Sequence, residues 1–285
     1  MSDRDLLVRF EECLVGIGMA PATITNYLAD VRAFSQWLGN LYHVHISLLN
    51  VAAVHVQRYC QELYVSRRST ATVNRRLQAI RKFYDLAVQA GWVSQNPARE
   101  VDRFDERSGA SPRVLTVEEA CRLLHAVGNG ADGLSRRDRA ILLLLLKTGL
   151  KVSELISLHE DDLELDVGRG YVLIGQDLQS GGRCLPIGSE TCAALRNYMR
   201  VRASAQNVDE LFVNRQGQPL SARSVHRLVS NYAQAAGLEG VSAHTLRYTF
   251  AHGALKHADA SEVARMLGLR DVSGMRRYLV DPDRG

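Results

Sequence analysis

Apolar residues recur every three to four positions through the first hundred residues, which predicts helices joined by short connections. Ile24, Tyr27, Leu28, Val31, Phe34, Trp37 and Leu38 share one such face, opened by Pro21 and Thr23 and closed by Gly39 and Asn40. Further helices are expected over 5–16, 51–64 and 70–89. The last presents Val73, Leu77, Ile80, Phe83, Tyr84, Ala87 and Val88, and Gly91 and Pro97 stop it. These four helices predict a compact N-terminal domain over 1–98. The stretch 99–113 is polar, carries Gly109, Ser111 and Pro112, and reads as an interdomain linker.

A second domain is expected over 114–285. Thr116 and Glu119 have the spacing of a capping box. Helices follow over 136–148 and from near Val152. Residues 171–174 and 184–187 read as two strands of a hairpin around Ser180, Gly181 and Gly182, and 211–213 as a short extended piece. The remainder reads as mostly helical. The fold class is therefore mainly α (α+β): a small four-helix domain, a linker, and a larger helical domain with a small β-hairpin.

Composition narrows the function classes. The chain has 285 residues, 46% hydrophobic and 23% charged, enough for a substantial core and unlike a disordered chain. The longest apolar run, 140–146, is far short of the ~20 residues a membrane span needs. Asp3 and Asp5 stand where a secretory signal would be basic and then apolar. A cytoplasmic protein without a membrane partner is expected. The five cysteines are scattered without a C-x-x-C pair, which predicts buried thiols in a reducing compartment and no zinc site.

The net charge is only +4, yet of 35 basic residues four are lysines: Lys82, Lys147, Lys151 and Lys256. Arginine suits bidentate phosphate recognition, although a GC-rich genome would produce the same bias. The distribution says more. Arg67, Arg68, Arg75, Arg76, Arg81 and Lys82 fall between Ser66 and Tyr84 without an intervening acid. Solvated faces usually mix both signs. An unmixed basic face opposite an apolar one is the footprint of a helix lying on nucleic acid.

Three phrases carry the chemistry: Thr148-Gly-Leu-Lys-Val-Ser-Glu-Leu155, Ala243-His-Thr-Leu-Arg-Tyr-Thr-Phe-Ala251, and the segment 267–278 ending Met275-Arg-Arg-Tyr278. Their order and wording resemble the tyrosine recombinase (phage integrase) family, especially its short Xer-like members. The resemblance extends to the helical N-terminal domain and to Arg183-Cys-Leu-Pro-Ile-Gly188. It implies a core-binding domain and a catalytic domain closing as a C-shaped clamp on duplex DNA. In that chemistry a tyrosine attacks a phosphodiester, giving a 3′-phosphotyrosyl link and a free 5′-hydroxyl. The bond energy is kept, so no ATP is required, and side-chain cations take the place of a metal. No cofactor is expected.

By resemblance, Tyr278 is the nucleophile, Arg247 a phosphate clamp, His244 the histidine three residues before it, and Glu154 the acid that follows the first clamp position. Three positions depart. Lys151 stands where the family has its first arginine, keeping the charge without the fork. Leu269 replaces a histidine. Gln176 is nearest to the hairpin lysine, and no lysine lies between Lys151 and Lys256. Arg169, Arg183 or Lys151 is left as a substitute cation, although an arginine is a poor general acid. Arg183, Arg270, Arg276 and Arg277 are candidate contacts to the DNA backbone.

Two readings remain open. One is a site-specific recombinase acting as a dimer and tetramer on an inverted-repeat core. The other is a sequence-specific DNA-binding protein of recombinase descent that is silent or needs a second recombinase.

Overall fold

The computed structural model of the chain describes residues 1–42, 46–66, 68–104, 112–128, 132–166, 168–175, 182–202, 208–269 and 271–278. Two units partition it, Met1–Gly109 and Ala110–Gly285.

Helices α1 (Asp3–Gly16), α2 (Pro21–Tyr42), α3 (Ala53–Val65) and α4 (Thr70–Gln89) build the first unit. Ser2 caps α1 and Ser69 caps α4, each accepting a backbone N–H that the helix leaves unpaired. Asp3 is buried because three donors converge on it: the hydroxyls of Ser35 and Ser47 and the Leu48 N–H, at 2.7, 3.0 and 3.0 Å. The core contains Phe10, Phe34, Phe83 and Tyr84, with Phe10 edge-on to Phe83 at 5.2 Å.

Two expectations change here. Helix α2 continues past Gly39 and Asn40 to Tyr42, since one glycine weakens a helix by only about 1 kcal/mol. Val88 is 37% exposed, because it lies one residue, about 100° of helical rotation, beyond the buried Ala87. The start of the expected linker also belongs to this unit. Ala98 and Val101 are buried in its core, and Phe104 packs on Tyr64 with ring centroids 5.2 Å apart. Asn74 brackets the Phe104 backbone, donating to its carbonyl at 2.8 Å and accepting its N–H at 2.9 Å. A few anchoring apolar side chains were hidden in a stretch that is polar on average.

The second unit comprises α5 (Val117–Ala126), α6 (Gly133–Thr148), α7 (Val152–Ile156), α8 (Ser189–Met199), α9 (Ala222–Ala235), α10 (Ala243–Ala254) and α11 (Ala260–Met266). A 3-10 helix, Val272–Arg277, follows. The capping box at Thr116 and Glu119 is formed. The apolar run of α6 is buried throughout, so it is a core helix that α8 and α10 pack against.

Strands β1 (Leu163–Leu165), β2 (Arg169–Ile174) and β3 (Arg183–Gly188) form an antiparallel sheet in the order β1-β2-β3. Val172 pairs with Leu185 and Ile174 with Arg183. Strand β1 was not anticipated: three residues are too few to show an alternating pattern. Ser180 and Gly181 at the hairpin tip lie outside the described residues. Leu211 and Phe212 are buried between isolated bridges at Glu210 and Val213. Among the described residues no helix is long and apolar enough to cross a membrane. All five cysteines are free, but Cys121 and Cys184 are exposed and Cys13 is half-buried. The expectation of uniformly buried thiols holds only for Cys60 and Cys192.

Candidate active site

Helix α6 ends at Gly149, whose φ of 62° is the left-handed region that glycine tolerates. A Cβ there would lie 2.4 Å from the Phe250 ring, so the residue needs to be glycine for space as well. The turn delivers Lys151 to the N-cap of α7. Glu154 folds back so that its carboxylate accepts the Lys151 backbone N–H at 2.8 Å. Helix α10 carries His244 and Arg247 one turn apart. Beyond α11, Asp271 caps the 3-10 helix by accepting the Gly274 N–H at 3.2 Å, and Tyr278 terminates that helix.

A cleft of about 810 Å³ opens where these segments meet, lined by Lys151, His244, Arg247, Tyr248, Leu269 and Tyr278. Residues from three distant phrases of the sequence thus share one wall.

Arg247 is 5% exposed and organises the floor. Its Nε donates to the Tyr278 hydroxyl at 3.0 Å, one terminal nitrogen donates to the Leu267 carbonyl at 2.6 Å, and the other donates to the Gly149 carbonyl. Both carbonyls lie at helix C-termini, where the peptide dipoles favour a cation. These three partners are neutral oxygens, so the guanidinium charge is held in place without being cancelled. The Tyr278 ring lies 6.0 Å from the guanidinium carbon and 5.0 Å from the Tyr248 ring. Tyr278 is itself 8% exposed. His244 is on the exposed side of α10.

The Lys151 ammonium is held 3.3 Å from Glu154 Oε1 and donates to the Gly268 carbonyl at 3.4 Å. Burial would raise the Glu154 carboxyl. The Arg183 hydrogen bond, the Lys151 N–H and both positive charges outweigh it and hold Glu154 below the usual carboxylate range. Leu269 packs with the cluster around Tyr278, and a Cβ on Gly274 would sit 3.5 Å from it. Where resemblance expected a hydrogen-bonding histidine, this chain has an apolar contact. Gln176, Arg67 and Arg270 lie outside the described residues, as does the Arg277 side chain. Arg276 is exposed.

Two basic residues expected on a DNA-facing surface point into the protein instead. Arg183 is 13% exposed at its side chain and spends its donors on the Met266 carbonyl and Glu154, both at 2.8 Å. Arg81 donates to the Ala98 carbonyl at 3.0 Å and to the Val101 carbonyl. In each case a backbone carbonyl at a helix end or around a turn takes the guanidinium, a preference that charge counting along a sequence leaves out.

The rest of the basic run divides. Arg68 is exposed but precedes α4. Lys82 borders a polar hollow with Asp85. Arg75 and Arg76 meet Asp30 of α2, and Arg76 also donates to the Tyr59 hydroxyl at 2.8 Å. Asp30, Tyr59 and Gly268 were not singled out from sequence. Asp30 sits between apolar neighbours on the core-facing side of α2, which was the available signal; Tyr59 and Gly268 had none.

Comparisons with known proteins bear on the family and the fold. The sequence pattern of the phage integrase family matches residues 113–283, and that of the phage integrase N-terminal SAM-like domain matches 7–91. The chain is 32% identical over 270 residues to the tyrosine recombinase XerC of Thermodesulfovibrio yellowstonii, covering 92% of this chain and 86% of that protein. It is 29% identical over 267 residues to XerD of Halalkalibacterium halodurans, covering 92% and 87%. Among solved structures, a lambda integrase dimer bound to a COC′ core site superposes with a TM-score of 0.76 at 18% identity, over 99% of this chain and 78% of that one. XerH bound to palindromic difH in a post-cleavage complex gives 0.74 at 21% identity, over 90% and 75%. At these identities the structures show the fold.

Proposed function

This chain belongs to the phage integrase family, and from that membership we propose that it is a tyrosine recombinase carrying out site-specific recombination of double-stranded DNA. The observation that carries the reading is the hydrogen bond between the Tyr278 hydroxyl and buried Arg247 in a cleft shared with Lys151 and His244. A phosphodiester drawn to Arg247 comes to the oxygen that would attack it. No step calls on a metal or cofactor.

In the first step the Tyr278 oxygen bonds to phosphorus and the bond to the 5′ oxygen breaks, leaving a 3′-phosphotyrosyl link. The phenolic proton passes to a base, a role that suits His244, and the departing 5′ oxygen takes up a proton. Arg247 supplies fixed positive charge to the transition state without reorganising. Lys151 supplies a second cation and, as an ammonium, also a transferable proton. Glu154 fixes Lys151 from below. Strand joining reverses these bonds with a different 5′-hydroxyl, so atoms and bond energy balance within the DNA.

Arg75, Arg76 and Arg68 suit backbone phosphates in this reading, with dimers and tetramers on an inverted-repeat core as the working assemblies. The cytoplasm is the compartment proposed for this chain.

The test is covalent trapping on nicked duplexes of randomised sequence, with Tyr278→Phe in parallel and the bound, uncleaved DNA also recovered. A protein–DNA adduct that disappears in the phenylalanine variant is expected. Specific DNA recovered without adduct would instead establish a silent binder, the reading that the apolar packing of Leu269 favours.

A further inference from the structure

Arg183 opens β3 in the second unit, yet it faces the cleft wall from within. Its guanidinium ties three segments together. Nε donates to the carbonyl of Met266 at the end of α11, and a terminal nitrogen donates to Glu154 of α7, each at 2.8 Å. The third segment is the turn at Gly268. A Cβ there would lie 2.6 Å from a guanidinium nitrogen, and its φ of +60° already disfavours other residues. Glycine lets the turn lie flat against the arginine.

The Gly268 carbonyl and Glu154 are also the two acceptors of the Lys151 ammonium. Arg183 therefore bonds one of the two groups that hold Lys151, Glu154, and packs against the glycine that supplies the other. A lysine has a flexible stem and no planar fork, so its ammonium needs outside support to stay in one place. An arginine at position 151 would need less.

We propose that Arg183 is a positioning residue, which acts through Glu154 and the Gly268 turn to hold the Lys151 ammonium in the cleft. This rests on the cleavage reading above. It differs from a DNA contact, for the guanidinium is largely covered and two of its three nitrogens are committed to Met266 and Glu154. It also assigns Gly268 a definite job, as the flat contact that makes room for the arginine.

A double-mutant cycle on cleavage tests the idea. Trapping rates are measured at saturating nicked duplex for wild type, Arg183→Met, Lys151→Met and the double variant. Arg183→Met is expected to slow adduct formation about tenfold to a hundredfold when Lys151 is present. In the Lys151→Met background it should cost less than about twofold, because the group it positions is gone. A merely structural role would slow both backgrounds alike, and that result overturns the proposal. Should Arg183→Met fold poorly by thermal melting, Arg183→Lys enters the same cycle. It keeps a positive charge for either Glu154 or the Met266 carbonyl, but loses the span that reaches both, so the same background dependence is expected. Wild type that binds duplex yet gives no adduct overturns the cleavage reading, and the positioning role falls with it; a wild-type adduct with additive losses overturns the positioning role alone.

Discussion

Each unit buries one carboxylate between two cations, and the two clusters behave differently. In the first, Asp30 of α2 meets Arg75 and Arg76 of α4. Burial dominates there and raises the Asp30 pKa, with the charges of both arginines and the Arg75 hydrogen bond offsetting it only partly. In the second, Glu154 also suffers burial, but its hydrogen bonds to Arg183 and to the Lys151 N–H lower its pKa on balance. The difference lies in who owns the cations. The Arg75 side chain is 46% exposed, so its charge is shared with solvent; Arg183 is enclosed and commits itself to the acid. An acid that only partly satisfies its arginines leaves them able to take up a phosphate. An acid fully engaged by an arginine becomes a rigid support for something else, here Lys151.

That contrast predicts a split between chemistry and affinity. The largest effect is expected at the cleft floor: Arg247→Met should lower trapping by about 10²–10³-fold, from loss of transition-state charge stabilisation. It should also lower Tm, because the Gly149 and Leu267 carbonyls lose a buried donor. Unchanged trapping would remove Arg247 from the site. Next in size, reversing both Arg75 and Arg76 to Glu should weaken duplex binding by more than about tenfold. The slope of log K against log salt should then flatten by about two, while trapping at saturating DNA holds. Binding indifferent to that reversal would break the comparison on the N-terminal side.

A smaller gain is expected from Lys151→Arg, which restores a fork beside Glu154 and should raise trapping about tenfold. No gain would mean that the lysine is not what limits the chemistry. The smallest effects concern acid stability, and the two carboxylates have opposite signs. The depressed Glu154 pKa adds stability at neutral pH that is lost as pH falls through the usual carboxylate range and below. Asp30, with a raised pKa, is relieved by protonation and pulls the other way. Between pH 7 and pH 4, Tm should therefore fall less in Glu154→Gln than in wild type and more in Asp30→Asn, by about a few degrees each. Shifts of the same sign in both variants would erase the distinction between the clusters.

Much of the molecule was legible before the fold was seen, because the signals are local. The face of α2 from Ile24 to Leu38, the bounds of α4, the capping box at Thr116 and the pairing of β2 with β3 all depend on residues a few positions apart. So does the wording of the segments that hold Lys151, Arg247 and Tyr278, and on that wording rested the family and its reaction. Where each arginine would point was not local. Arg75 meets Asp30 across 45 positions, Arg183 meets Glu154 across 29, and Lys151 meets the Gly268 carbonyl across 117. A basic residue in a sequence is a charge without a partner, and a guanidinium takes whichever carboxylate or helix-end carbonyl the packing brings within reach. The sequence by itself determined the two-part helical plan, the reaction class and the residues that meet in the cleft. Only the tertiary structure decided which cations, like Arg81 and Arg183, are used to hold the protein itself and which, like Arg75, stay half exposed beside an acid.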